Sequence, residues 1–294
     1  MADTWTVRRL LEWTGGFFTR KEVDQPRLSA ELLLAHVLGL PRIRLYTDHE
    51  RPLSDAELAT FRDLVKRAGE QEPIAYLTGV AHFFGLEFFV TRDVLIPRPD
   101  TETLVEHVLQ TVRYEADLAA PRLLDLCTGS GCIAAAVASR LPSATVLATD
   151  LSPSAAEVAR KNVERLNLAS RVQVEVGDLF EPIARVVDAA PFDLLTANPP
   201  YIRTDLLPQL DRSVKDYEPT MALDGGPDGL DLHRRILAEA PRRLVDRGRA
   251  FLEIAFDQGE KALAIASTTE GLEDAKILKD AAGNDRVLSV RTRR

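Results

Sequence analysis

From residue 122 onward, short apolar runs alternate with longer stretches of helical periodicity, and this alternation leaves few folds open. The runs lie at 123–126, 145–150, 172–176, 192–197 and 250–254, with two more at 275–278 and 287–290. Strands separated by helices cannot pair as tight hairpins. They need crossovers, which lay the strands parallel and put helices on both faces of the sheet. The expectation is an α/β fold with a doubly wound, Rossmann-like, parallel sheet of seven strands. Ligands of such sheets bind outside the carboxyl ends of the strands, so the residues that end the strands are the first functional candidates.

Asp125-Leu126-Cys127-Thr128-Gly129-Ser130-Gly131 ends the first of these strands and opens a helix. Gly129 and Gly131 permit tight turning and close approach of the backbone to a ligand. Asp125 could counter an amino group or organise the loop. Asp150 ends the second strand, where a carboxylate can accept hydrogen bonds from both ribose hydroxyls of a nucleoside. Gly177-Asp178-Leu179 follows the third strand, where a carboxylate or a backbone amide can meet an adenine edge. Taken alone, Gly129-x-Gly131-x-x-Ala134 also fits a nicotinamide dinucleotide fingerprint or a turn that binds nothing.

The fourth strand ends in Asn198-Pro199-Pro200-Tyr201. Two consecutive prolines lack N–H donors and have fixed φ, so the strand must stop there in a rigid turn. An amide before the prolines and an aromatic ring after them suit a planar NH₂ group, whose hydrogens carbonyls can accept. Hydride transfer has no use for such a clamp, whereas methylation of a planar nitrogen does, and this turns the reading toward S-adenosylmethionine. An amide nitrogen is a poor nucleophile because its lone pair is delocalised. It must be held in line with the sulfonium methyl, about 3 Å away. The Asn198 side-chain carbonyl and the Pro199 backbone carbonyl are the expected acceptors, with Tyr201 against the amide plane. An exocyclic amine of adenine would fit the same clamp.

Residues 1–80 read as a small bundle of helices. Ser54 and Glu57 have capping-box spacing, and Gly39 with Pro41 closes an apolar helix over 30–38. Four of the phenylalanines fall in 83–90 around Gly85, which predicts a β-hairpin within a linker at 81–99. Asp100 is expected to cap the following helix and to open a catalytic domain over 100–294. Ser152-Pro153 pairs an N-cap with proline at the first helical position. From Tyr201 to about Leu230 periodicity fades and turn residues gather, as in a substrate-shaping loop.

The chain carries 37 Lys and Arg against 45 Asp and Glu, a net charge of −8, without a dense basic run. Direct nucleic-acid binding is therefore not expected. No run of about 18 apolar residues and no charged-then-apolar leader is present, so a cytoplasmic location is expected, with no membrane partner. Cys127 and Cys132 match no zinc or redox spacing. His36, His49, His82, His107 and His233 are scattered, so no metal is expected. The protein is expected to be a monomer.

Several separated segments together resemble the bacterial glutamine-N5 methyltransferases that modify peptide-chain release factors, the HemK type. They are Pro73-Ile74-Ala75-Tyr76-Leu77-Thr78-Gly79, Leu95-Ile96-Pro97-Arg98-Pro99-Asp100-Thr101-Glu102, Asp125 to Gly131, Asn198 to Tyr201, Glu218-Pro219 with Ala222-Leu223-Asp224-Gly225-Gly226, and residues 280–286. The resemblance spans essentially the whole chain. It implies a helical N-terminal domain that helps hold the release factor and a seven-stranded methyltransferase domain. It implies S-adenosylmethionine as cofactor and the Gln of the Gly-Gly-Gln tip as substrate, converted to N5-methylglutamine. Cofactor contacts carry over to Cys127, Thr128, Gly129, Ser130, Gly131, Asp150, Leu179 and Asn198, and the substrate clamp to Asn198, Pro199, Pro200 and Tyr201. Leu179 departs from a commonly aromatic position, Ala255 from a usual Gly, and Cys127 from the first Gly of the commoner loop. A sister activity on a ribosomal-protein glutamine and N6-adenine methylation of nucleic acid are the alternatives. Arg98 could meet a substrate carboxylate or pin the hairpin, and Glu218 could order the long loop or touch substrate.

Overall fold

Helical periodicity governs the first 80 residues. In the computed structural model, which describes residues 5–115, 118–185 and 191–293, this stretch forms α1 (Val7–Arg20), α2 (Pro26–Leu38), the short α3 (Arg44–Thr47), α4 (Asp55–Gly69) and the short α5 (Ile74–Thr78). Local chemistry sets the ends. Pro26 opens α2, and Gly39 closes it at φ 61°. Ser54 and Glu57 exchange both bonds of a capping box at the start of α4. Phe18, Leu33, Leu34, Phe61, Leu64 and Val65 fill the core of this unit. The buried Glu31 is balanced there by Arg27, Arg42 and the Tyr46 hydroxyl.

The second compact unit starts at Ala81. The hairpin pairs β1 (Val80–Phe83) with β2 (Leu86–Phe89). Phe84 and Gly85, at φ 51° and 75°, make its two-residue turn, whose twist matches that of the strands. Then follow α6 (Glu102–Tyr114), β3 (Arg122–Leu126), α7 (Cys132–Arg140), β4 (Thr145–Asp150), α8 (Pro153–Arg165), β5 (Val172–Val176) and β6 (Phe192–Ala197). Ser152 caps α8 by accepting from Ala155 N, with Pro153 at the first position. The long stretch after β6 contains only short turns and α9 (Arg212–Lys215). Asp211–Tyr217 belongs to the first unit, where the Tyr217 hydroxyl donates to Glu70 O at 3.1 Å. The chain continues as α10 (Asp231–Arg243), β7 (Leu244–Glu253), α11 (Gly259–Thr268), β8 (Leu272–Lys279) and β9 (Asp285–Thr292).

The seven strands lie in the order β5-β4-β3-β6-β7-β9-β8. The chain winds outward from β3 to β5 and returns to β6 beside β3, so the sheet changes winding direction between β3 and β6. Contrary to the all-parallel expectation, β9 runs antiparallel to both of its neighbours. Only a short turn separates β8 from β9, too little chain for a crossover.

Asp100 also departs from expectation. Pro99–Thr101 forms a 3-10 turn, α6 begins at Glu102, and its cap makes no side-chain bond. Asp100 instead pairs with Arg286 at 2.9 Å. An ion-pair partner distant in sequence has outcompeted a local cap.

One buried carboxamide joins the hairpin to the catalytic sheet. Asn162 on α8 accepts from Phe89 N at 2.7 Å and donates to Phe89 O and Ser130 O, both at 2.9 Å. Asn162→Ala leaves three backbone groups without partners. We expect a loss of about 2–4 kcal/mol, read as a fall of roughly 5–10 °C in the thermal transition of this unit.

Candidate active site

The loop after β3 is shaped from below. Asp125 is fully buried and accepts from the Thr128 hydroxyl at 2.6 Å and from the Thr196 hydroxyl at 2.7 Å. Burial pushes its carboxyl up to about 6, against the pull of these two bonds and of Ala134 N–H. With both oxygens occupied, Asp125 organises the loop rather than facing the cavity. Thr128 N donates to Thr149 O and Gly131 N to Thr128 O, which closes the turn. Cys127 sits at φ 54°, which explains why glycine is common at this position in related loops. Gly131 at φ 78° lets α7 approach α8, since an added Cβ would stand 3.2 Å from Ala159 Cβ.

Asp150 ends β4 with its carboxylate oriented by Gly129 N at 2.8 Å and Ser152 N at 2.9 Å. Burial raises its pKa, while these two backbone bonds lower it. Leu179 lies beyond β5 at φ 48°, with its carbonyl held by the Thr149 hydroxyl at 3.0 Å. Asp178 pairs with Arg235 of α10 at 2.6 Å. Both thiols are held protonated by burial, Cys132 pushed up to about 12 and Cys127 further.

These groups surround a cavity of about 170 Å³ at the carboxyl edge of the sheet. Cys127, Thr128, Gly129, Ser130, Asp150, Asp178, Leu179, Asn198 and Pro200 line it. Asp125, Gly131, Pro199 and Tyr201 do not. A Cβ built on Gly129 would meet nothing within 4 Å, so that position opens onto the cavity. The wall is largely apolar, with an oriented carboxylate at one end and a carboxamide at the other. This fits a nucleoside carrying a short charged chain.

The Asn-Pro-Pro-Tyr turn leaves β6 at this edge. Asn198 Nδ2 donates to the Thr101 hydroxyl at 3.2 Å, and the Tyr201 hydroxyl donates to Glu253 at 3.1 Å. Gln258 Nε2 donates to Tyr201 O at 2.8 Å. Gly225 and Gly229 press on the turn from outside. A Cβ on Gly225 would come within 2.7 Å of Pro200 O, and one on Gly229 would collide with Tyr201 O and Gln258 Nε2. Arg98 pairs with Glu218, which also accepts from Ile96 N at 3.3 Å. Glu218 therefore orders the long connection, and Arg98 is its anchor.

Thr101, Glu253 and Arg235 were not singled out in the sequence. Thr101 lay inside a noted motif, but nothing local points from it to Asn198. Glu253 sits within an apolar strand and Arg235 on an ordinary amphipathic helix. Among the described residues no group of three or more metal-ligating side chains forms.

A cavity lies at the point where winding reverses, bordered by the Asn-Pro-Pro-Tyr turn, and the family of this domain defines the class. The protein is an S-adenosylmethionine-dependent methyltransferase with a Rossmann-like sheet. Comparison with known proteins narrows this further. Residues 9–79 match the PrmC N-terminal domain family, and residues 99–209 match the methyltransferase small domain family. The chain is 43% identical over 289 residues to the release factor glutamine methyltransferase of Geobacter sulfurreducens, covering 98% of both chains. It is 39% identical over 296 residues to the protein of the same name from Rhodopirellula baltica, covering 99% of both. The chain belongs to the release factor glutamine methyltransferase family. Among solved structures, the hMettl16 catalytic domain in complex with MAT2A 3'UTR hairpin 6 shares the fold, with a TM-score of 0.53. That likeness covers 83% of this chain and 84% of the other at 18% identity.

Two variants probe the geometry. Asp150→Ala is expected to weaken S-adenosylmethionine binding by roughly 10–100-fold in calorimetry, as befits charge-assisted bonds. Gly229→Ala, at φ 76°, must displace the Tyr201 backbone. Its turnover should fall by at least ~10-fold while cofactor affinity changes much less, because a small misplacement of reacting groups is costly.

Proposed function

We propose that this chain methylates the side-chain amide nitrogen, N5, of the glutamine in the Gly-Gly-Gln motif of peptide-chain release factors. The observation that carries this reading is the Asn198 carboxamide, tethered through Nδ2 at the rim of the cofactor cavity. Family membership selects a protein glutamine over the adenine amine that the same clamp would fit.

S-adenosylmethionine, when bound, supplies a methyl group made electrophilic by its sulfonium. Asp150 accepts the ribose hydroxyls through the lone pairs left over from its two backbone bonds. Thr128, Gly129 and Ser130 would supply backbone close to the cofactor, with Gly131 and Asp125 shaping their loop from behind and beneath. Cys127 and Leu179 line the cavity as apolar walls, and Asp178 and Leu179 would lie at the adenine edge. Asn198 Oδ1 and the Pro199 carbonyl accept the two amide hydrogens and so fix the nitrogen. Both bonds strengthen as positive charge develops on it, which favours the transition state. Pro200 keeps the turn rigid, and Tyr201, anchored on Glu253, backs the amide plane.

One chain supplies all of these groups, which supports action as a monomer. The net charge of −8 argues against direct nucleic-acid binding. Release factors work on the ribosome, which points to the cytoplasm. Among the described residues no helix is long and apolar enough to cross a membrane.

Labelled S-adenosylmethionine should transfer its methyl to purified release factor and not to a factor whose tip Gln is replaced by Ala. Label on the tip mutant at wild-type level, on ribosomal protein or on adenine-containing DNA would overturn the assignment. Asn198→Ala should lower kcat by about 10²–10³-fold, as does removal of a transition-state partner elsewhere, while cofactor binding falls less.

A further inference from the structure

Beneath the clamp, two hydrogen bonds and one buried acceptor without a donor fix the directions of a polar cluster. It begins at Glu253, the last residue of β7, whose side chain is buried. An ionised carboxylate only accepts. Oε1 takes the Tyr201 hydroxyl at 3.1 Å. Oε2 is buried and has no hydrogen-bond partner among the described residues, while the neighbouring Thr101 hydroxyl draws the Glu253 pKa down. A buried acceptor in need of a donor beside a hydroxyl free to rotate settles where the Thr101 hydrogen points. The Thr101 oxygen is then left to accept, and it receives Asn198 Nδ2 at 3.2 Å.

We propose that Thr101 and Glu253 are positioning residues: Glu253 orients the Thr101 hydroxyl, and Thr101 holds Asn198 in the one amide orientation that offers Oδ1 to the substrate nitrogen. This rests on the clamp reading given above. A carboxamide has two nearly isosteric orientations. The flipped one would set NH₂ against NH₂ and leave the substrate hydrogens without an acceptor.

The charge state of Glu253 decides whether the cluster keeps its directions. Arg286 of β9 favours the carboxylate and is itself shared with Asp100 and Asp280. Asp100 opposes ionisation, while the Tyr201 hydrogen bond and the neighbouring Thr101 hydroxyl promote it. Arg98, near Tyr201, is paired with Glu218. His233 of α10 bonds the Glu253 carbonyl at 2.7 Å and is held neutral by burial, its pKa lowered to about 4. Burial dominates and pushes Glu253 up to about 7. Once protonated, Glu253 gains an O–H that can donate to the Thr101 oxygen. Thr101 can then turn its hydrogen away, and Asn198 loses its bias. Turnover therefore falls as pH drops through the Glu253 pKa.

The test uses the full-length enzyme, S-adenosylmethionine and purified release factor. Thr101→Val, which keeps the shape and removes the hydroxyl, should lower kcat by at least ~30-fold, with cofactor affinity within about 3-fold by calorimetry. Thr101→Ser should restore kcat to within about 3-fold of wild type. Glu253→Gln should lower kcat and abolish the acid limb of the kcat–pH profile. Wild-type kcat in Thr101→Val, Thr101→Ser as impaired as Thr101→Val, or an unchanged acid limb in Glu253→Gln would each overturn the proposal. If Thr101→Val does not fold, the serine rescue and the pH profile still decide. A wild-type enzyme that leaves the glutamine unmethylated overturns the proposed function instead, so the two failures are distinguishable.

Discussion

The buried carboxylate of Asp125 ties the two halves of the site together. One oxygen accepts from Thr128 in the loop after β3, and the other from Thr196 in β6, two residues before the clamp. Asp125 and Thr196 are register partners in adjacent parallel strands, so sheet pairing itself brings the two side chains together. Burying a carboxylate is costly, as the rise of its pKa shows, and the cost is met by three donors from three local segments. The result is a fixed distance between the glycine loop and the Asn-Pro-Pro-Tyr turn, the two surfaces proposed to hold cofactor and acceptor. Methyl transfer depends on that distance.

A second organising element is the segment that leads into α6 through the Pro99–Thr101 turn. Arg98 reaches Glu218 in the long connection, Asp100 reaches Arg286 of β9, and Thr101 reaches Asn198. Glu102 accepts from Phe84 N in the hairpin turn at 2.7 Å. Motifs scattered along the sequence are therefore halves of single contacts. Pro99 keeps Arg98 extended and itself opens the 3-10 turn that carries Asp100 and Thr101.

Much of this architecture was legible from local patterns. Strand runs, the Ser54 and Ser152 caps and the Phe84-Gly85 turn depend on neighbours a few residues away, and sequence displays such neighbours directly. The clamp and the glycine loop were legible because proline and glycine have conformational consequences wherever they occur. Other features depended on partners far along the chain. The reversal of β9 goes with its insertion between β7 and β8, a placement that only the folded sheet displays. Asp100 had the composition of a cap and the environment of an ion-pair partner. Asp125 could have met an amino group, and only the register with Thr196 shows both of its oxygens occupied. Glu253 reads as one more residue in an apolar strand, and its importance comes from what is folded around it.

Gly225 and Gly229 have a consequence for how such a site can evolve. Each meets the main chain of the clamp at a distance no side chain tolerates. Widening the acceptor range by editing these positions would displace the Asn-Pro-Pro-Tyr turn itself. Change is easier at Leu151 and Met221, which line the cavity with exposed side chains. Drift toward new acceptors is thus channelled to such positions, while the shape of the Asn-Pro-Pro-Tyr turn is locked in by residues that carry no chemistry of their own.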